Sequence, residues 1–132
     1  QVIAAGLMPI LEPEVTITIA DKAEAEAILR DEILTHLDAL DERKKVMLKL
    51  SLPSVANFYK PLVDHPRVLK VVALSGGYSR DDANAILSQN TGMIASFSRA
   101  LSEGLNAKQT DAEFDAMLQA AVDSIHAASI AG

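Results

Sequence analysis

Val71-Val72-Ala73-Leu74-Ser75-Gly76-Gly77-Tyr78-Ser79 is an unbroken apolar run, a paired-glycine turn and a helix-capping serine in immediate succession. An apolar run without polar alternation reads as a strand buried on both faces, the habit of parallel sheets. Ser79, with Asp82 three residues on, opens a helix that carries Ala83, Ile86 and Leu87. The segment is one strand-turn-helix unit, and similar units recur on either side of it. Leu7-Met8-Pro9-Ile10-Leu11 runs into Glu12, Val46-Met47-Leu48 into Lys49, and Met93-Ile94-Ala95-Ser96-Phe97 into Ser98-Arg99. Between them, Asp21 with Glu24 caps a helix bearing Ala25, Ile28, Leu29, Ile33, Leu37 and Leu40. Pro53 to Asp64 is a shorter helical stretch in which Phe58, Tyr59 and Leu62 pack, ended by His65-Pro66. Thr110 with Glu113 opens a last helix carrying Phe114, Met117, Leu118, Val122 and Ile125. The order β-α-β-α-β-α-β-α predicts an α/β fold with right-handed crossovers and a parallel sheet.

Two parallel architectures compete. A doubly wound nucleotide binder carries a G-x-G-x-x-G turn after its first strand, and nothing of that kind follows Leu7 to Leu11. A (βα)8 barrel needs about 250 residues, so four units in this length amount to half of a TIM barrel. No Gly/Ser-rich or Pro-rich linker divides the chain, and residues 1–132 are expected to form a single half-barrel domain. Such a half exposes two parallel edges and an apolar inner face, so the other half of the barrel or a second copy of the chain is the expected cover. Gln1 to Ala5 reads as the tail of an apolar helix ended by Gly6, as if the chain began inside a larger architecture.

Composition narrows the function classes. Among 132 residues, 49% are hydrophobic and the net charge is -6. Mean hydropathy is +0.17 and the isoelectric point about 4.9. That is a foldable chain without the basic face that nucleic-acid phosphates require, and with too few aromatics for base stacking. Cysteine is absent, which removes disulfides, thiolate nucleophiles and thiolate metal sites. No apolar run is of bilayer length and the start does not resemble a signal peptide, so a cytoplasmic protein without membrane contact is expected. His36, His65 and His126 show no metal-ligand spacing, and no metal or other cofactor is called for. Asp41 to Lys45 reads as a solvated charge run, and Met8, Met47, Met93 and Met117 as core filler.

Each strand ends on a residue of catalytic type, at the edge of a parallel sheet where sites collect. Lys49 sits in a strand apolar on both faces, where desolvation would lower its pKa and yield a neutral amine nucleophilic toward carbonyls. The plainer alternative is a lysine snorkelling from a strand end. Glu12 and Glu14 flank Pro13 and alternate, so at most one is expected to point into a barrel mouth, and either can act as a general acid/base if buried. Ser75, Gly76 and Gly77 form a turn whose unhindered N–H groups can cradle a phosphate, although a plain tight turn explains a glycine pair equally well. Ser98 and Arg99 at the next strand end add a cation suited to bidentate phosphate contact, the pairing that barrels build after strands seven and eight.

Four strings together resemble the class I fructose-bisphosphate aldolases of the shorter bacterial branch. They are Pro9-Ile10-Leu11-Glu12-Pro13-Glu14, Val46-Met47-Leu48-Lys49-Leu50, Leu74-Ser75-Gly76-Gly77-Tyr78-Ser79-Arg80 and Ala95-Ser96-Phe97-Ser98-Arg99-Ala100-Leu101. The animal branch has a Pro-Asn pair after the lysine and Gly before the arginine, where this chain has Leu50-Ser51 and Ser98. The resemblance implies strands five to eight of the barrel, with Lys49 as Schiff-base lysine, Glu12 as general acid/base and Glu14 as a supporting carboxylate. It also implies that Ser75, Gly76, Ser98 and Arg99 grip a substrate phosphate. The reaction implied is the metal-free, reversible cleavage of fructose 1,6-bisphosphate to dihydroxyacetone phosphate and glyceraldehyde 3-phosphate in glycolysis. The family's first four strands supply an aspartate and further lysines that have no counterpart here. The alternatives are another lysine-dependent aldolase acting on a different phosphorylated sugar, and a non-catalytic half-barrel that binds phosphate as an assembly partner.

Overall fold

A computed structural model describes residues 1–132. Its sheet has four strands, β1 (Ile10–Leu11), β2 (Val46–Ser51), β3 (Val68–Leu74) and β4 (Met93–Ala95), all parallel and lying in chain order. A doubly wound sheet reverses its strand order at a switch point, whereas a barrel adds each strand beside the last. The observed order is that of half an α/β barrel. The helices are α1 (Lys22–Asp38), α2 (Lys60–Val63), α3 (Arg80–Leu87), α4 (Arg99–Ser102) and α5 (Asp111–Ala131). None is long and apolar enough to cross a membrane.

The two faces of the sheet differ in burial. On β2, Val46, Leu48 and Leu50 are buried and join Ile33 and Leu37 of α1 in the core, with Leu52, Tyr59 and Leu62 beside them. Met47 and Lys49, on the opposite face, are only half-buried. The methionines divide between core and surface. Met93 is in the core, but Met8 is 45% exposed and Met117 36%, because the surfaces they occupy are uncovered.

Several elements depart from their expected bounds. Within Leu7–Leu11 only Ile10–Leu11 is paired as a strand, since β1 is an edge strand with β2 as its single neighbour. Met47 N–H still donates to the Pro9 carbonyl at 2.9 Å. The last strand stops at Ala95, although Ser96 N–H donates to the Ala73 carbonyl at 2.8 Å. The helix expected over Pro53 to Asp64 contracts to Lys60–Val63 because Asn57 adopts a left-handed conformation, φ 59°. Asparagine tolerates that region, and here its side chain accepts from Thr91 N–H at 2.8 Å while its own N–H donates to Asn90 Oδ1 at 2.9 Å.

Caps show how local sequence sets helix starts. Ser79 accepts from Asp82 N–H at 3.1 Å, and Thr110 with Glu113 forms a full capping box. The Thr110 backbone and then its hydroxyl hold the Glu113 carboxyl below the usual carboxylate range. Asp21 occupies the N-cap of α1 but makes no side-chain cap bond. The first turn of that helix is fixed instead by a buried ion pair of Lys22 with Glu26. Lys22 Nζ also donates to the Leu52 carbonyl at 2.9 Å and to Ser54 Oγ at 3.0 Å, and Glu26 Oε2 accepts from Ser54 N–H at 3.0 Å. Both charges are thereby satisfied, and α1 is tied to the segment that leaves the lysine-bearing strand.

Candidate active site

Ile10 pairs with Met47 and Leu11 with Leu48 across β1 and β2. One further step of that register sets Glu12 beside Lys49, and Lys49 Nζ lies 3.0 Å from Glu12 Oε2. The carboxylate and the amine thus meet across 37 residues of sequence because the parallel register brings Glu12, just past β1, level with Lys49 within β2. Lys49 is less desolvated than its apolar strand suggests, with its side chain 29% exposed. It projects onto the open inner face, away from the helices.

Glu14 joins Glu12 and Lys49 around one polar cleft of about 150 Å³. Both glutamates therefore border the same space. β1 ends at Leu11, so strict alternation no longer governs the loop that carries them. The far wall of the cleft is Ser75, Gly76, Ser98 and Arg99. Gly76 and Gly77 both have positive φ, 61° and 106°, and Tyr78 N–H closes the turn onto the Ser75 carbonyl at 3.0 Å. Gly77 lies outside the lining, yet a Cβ there would come 4.0 Å from Arg99 Nη1, so turn and arginine are neighbours. A Cβ on Gly76 would meet Ile17 Cγ2 at 3.0 Å. Gly76→Ala is therefore expected to cost about 1–2 kcal/mol through left-handed strain alone, read as a lowered midpoint in urea unfolding.

Two arginines lie near this turn, and their roles separate. Arg80 is occupied structurally: its Nε donates to the Ala100 carbonyl at 2.8 Å and its Nη2 to the Leu101 and Glu103 carbonyls. Arg99 makes none of the ion pairs of the molecule and borders the cleft. Its freedom and its place suit an anion. Leu74 and Ser96 complete the lining. Ser96 escaped the sequence reading because it sits inside an apolar run, although its two-residue spacing from Ser98 was the available signal. The histidines lie elsewhere: His36 is 3.9 Å from Glu32, His65 bonds Asp38 at 3.1 Å, and His126 borders an apolar groove along α5.

A parallel half-barrel with a lysine, two carboxylates and an arginine around the C-terminal ends of its strands belongs to the (βα)-barrel class. No protein-family model matches the chain. The "Fructose-bisphosphate aldolase class 1" of Porphyromonas gingivalis is 57% identical over 130 residues, covering 98% of this chain and 44% of that protein. The protein of the same name from Synechocystis is also 57% identical over 130 residues, covering 98% of this chain and 43% of its own length. By sequence the chain is similar to class 1 fructose-bisphosphate aldolases over nearly all of its own length. It spans less than half the length of the curated relatives it matches.

Proposed function

We propose that residues 1–132 are one domain, strands five to eight of the barrel of a Schiff-base fructose-bisphosphate aldolase acting in cytoplasmic glycolysis. The observation that carries the proposal is the Lys49–Glu12 pair at 3.0 Å in the same cleft as Arg99 and the Gly76 turn. Transfer of a proton from Lys49 to Glu12 leaves a neutral amine, which attacks the ketone carbon of fructose 1,6-bisphosphate to form a carbinolamine. Glu12 then protonates the departing hydroxyl, releasing water and the iminium. The iminium withdraws the electron pair of the C3–C4 bond as a carboxylate takes the proton of the C4 hydroxyl. Glyceraldehyde 3-phosphate leaves, and the remaining enamine is protonated at carbon and hydrolysed to dihydroxyacetone phosphate, which frees Lys49. Glu14, beside Glu12, supports the proton traffic. Ser75, the Gly76–Gly77 turn, Ser98 and Arg99 hold a substrate phosphate and so orient the ketone toward Lys49.

The cover expected for the inner face is the half-barrel of the first four strands. Apolar grooves at both edges suit it, one lined by Leu11, Ile33, Leu37 and Leu40 beside β1, the other by Ile94, Phe97, Ile125 and Ile130 beside β4. The assay is cleavage of fructose 1,6-bisphosphate by this chain joined to those units. Arg99→Ala is expected to raise KM about 10- to 100-fold, the worth of a charge-assisted hydrogen bond, with a smaller change in kcat. Unchanged KM would remove Arg99 from the phosphate grip. Activity confined to another phosphorylated sugar would shift the proposal to a different lysine-dependent aldolase.

A further inference from the structure

We infer that Ser51 is a positioning residue, a clasp that holds the acid-bearing loop against the lysine strand. The inference rests on the aldolase proposal for its catalytic meaning. Ser51 ends β2 two residues beyond Lys49, on the same face of the strand, and is only 1% exposed. Its hydroxyl accepts from Val15 N–H and donates to the Val15 carbonyl, both at 2.9 Å. One side chain thus satisfies both backbone groups of a residue that is itself 8% exposed.

The position of that clasp gives it its consequence. The ladder between β1 and β2 ends at Leu11, and Val15 is next fixed by Ser51. Glu12-Pro13-Glu14 is therefore a short span tethered at both ends to the strand that carries Lys49. Beyond Val15 the same loop lays Ile17 against Gly76 and Gly77. Ser51 sets the spacing of the glutamates from the lysine and seats the loop on the proposed phosphate turn. A hydroxyl that only satisfied buried backbone would affect stability without changing which atoms meet in the cleft.

The test uses zero-length carbodiimide crosslinking, read by peptide mapping, on this chain joined to the units that complete the barrel. The wild type is expected to form a Glu12–Lys49 amide. Ser51→Ala is expected to lower its yield several-fold at equal folded content, and to slow borohydride-trapped imine formation on Lys49 with dihydroxyacetone phosphate by about 10- to 100-fold. Ser51→Thr, which keeps the hydroxyl, is expected to restore both. If Ser51→Ala does not fold, Ser51→Cys keeps the volume with a far weaker hydrogen-bonding group and is expected to show the same losses. Unchanged crosslinking in the folded variant would overturn the clasp. Absence of the imine in the wild type would instead sink the aldolase proposal, while the crosslink still decides the role of Ser51.

Discussion

Lys49→Ala, in the chain joined to the rest of the barrel, is expected to abolish measurable cleavage of fructose 1,6-bisphosphate, and Lys49→Arg is expected to do the same. The two substitutions fail for different reasons, and the contrast makes the prediction specific. Alanine removes the nucleophile. Arginine keeps the positive charge and can still pair with Glu12, but its guanidinium does not deprotonate in proteins and forms no iminium. A lysine serving only as an electrostatic anchor for substrate would tolerate arginine with a modest loss. Both variants are expected to fold, because Lys49 is partly exposed and its one ion pair is with a half-exposed Glu12. Such pairs contribute about 0–1 kcal/mol. Steady-state assays beside an unfolding curve separate lost chemistry from lost structure.

The second large effect falls on residues that do not line the cleft. Glu26→Ala is expected to destabilise the fold by about 3–5 kcal/mol, because it leaves the Lys22 ammonium buried without its counter-charge. Lys22 and Glu26 have side chains 9% and 1% exposed. Ser54 N–H loses its carboxylate partner in the same substitution. Domains of this size are stable by only about 5–15 kcal/mol, so the loss is a large share of the total. Urea unfolding of the wild type and variant at neutral pH measures it. Replacing the pair together, Lys22→Met with Glu26→Leu, is expected to recover much of the stability, since apolar residues of similar volume do not carry the desolvation cost. Tyr59 lies in the same electrostatic environment. Burial, then the Glu26 charge, holds its hydroxyl well above the usual tyrosine pKa.

This buried pair also marks the limit of what the chain discloses without its structure. A lysine followed four residues later by a glutamate on a helix is the pattern of a solvated surface pair, and nothing local indicates that both are covered. Their partners, Leu52 and Ser54, are 30 and 28 residues away. The strand-turn-helix units were legible because their strands are unbroken apolar runs, and the caps at Ser79 and Thr110 were legible because their bonds span only three residues. The bounds of β1 were not, since pairing depends on a neighbour that local sequence does not name. Pro53–Tyr59 read as helix because its apolar spacing is helical, while the left-handed turn at Asn57 depends on Asn90 and Thr91, more than 30 residues on.

The candidate site divides in the same way. Lys49, Glu12, Arg99 and the glycine turn stood out because each lies at or just beyond an apolar run, and neighbouring parallel strands bring such residues to one edge of the sheet. Glu12 and Glu14 lie past the end of β1, where strand alternation does not decide which way a residue faces. Ser51 and Ser96 were silent, one a small polar residue after an apolar run and the other within one. Their surroundings follow only from the register of β2 and β4 with their neighbours.

Borohydride trapping in the presence of dihydroxyacetone phosphate, followed by intact mass and peptide mapping, tests the proposed chemistry most directly. The chain is assayed alone and joined to the polypeptide that supplies the other four units. Reduction of an iminium on Lys49 adds the mass of one triose phosphate less one water plus the two hydrogens of reduction, a net loss of one oxygen, and mapping is expected to place it on the peptide containing Lys49. An adduct with the chain alone means that this half already forms the ketone pocket, and one found only with both halves means that the pocket needs its cover. No adduct on Lys49 with both halves present and folded would contradict the Schiff-base assignment.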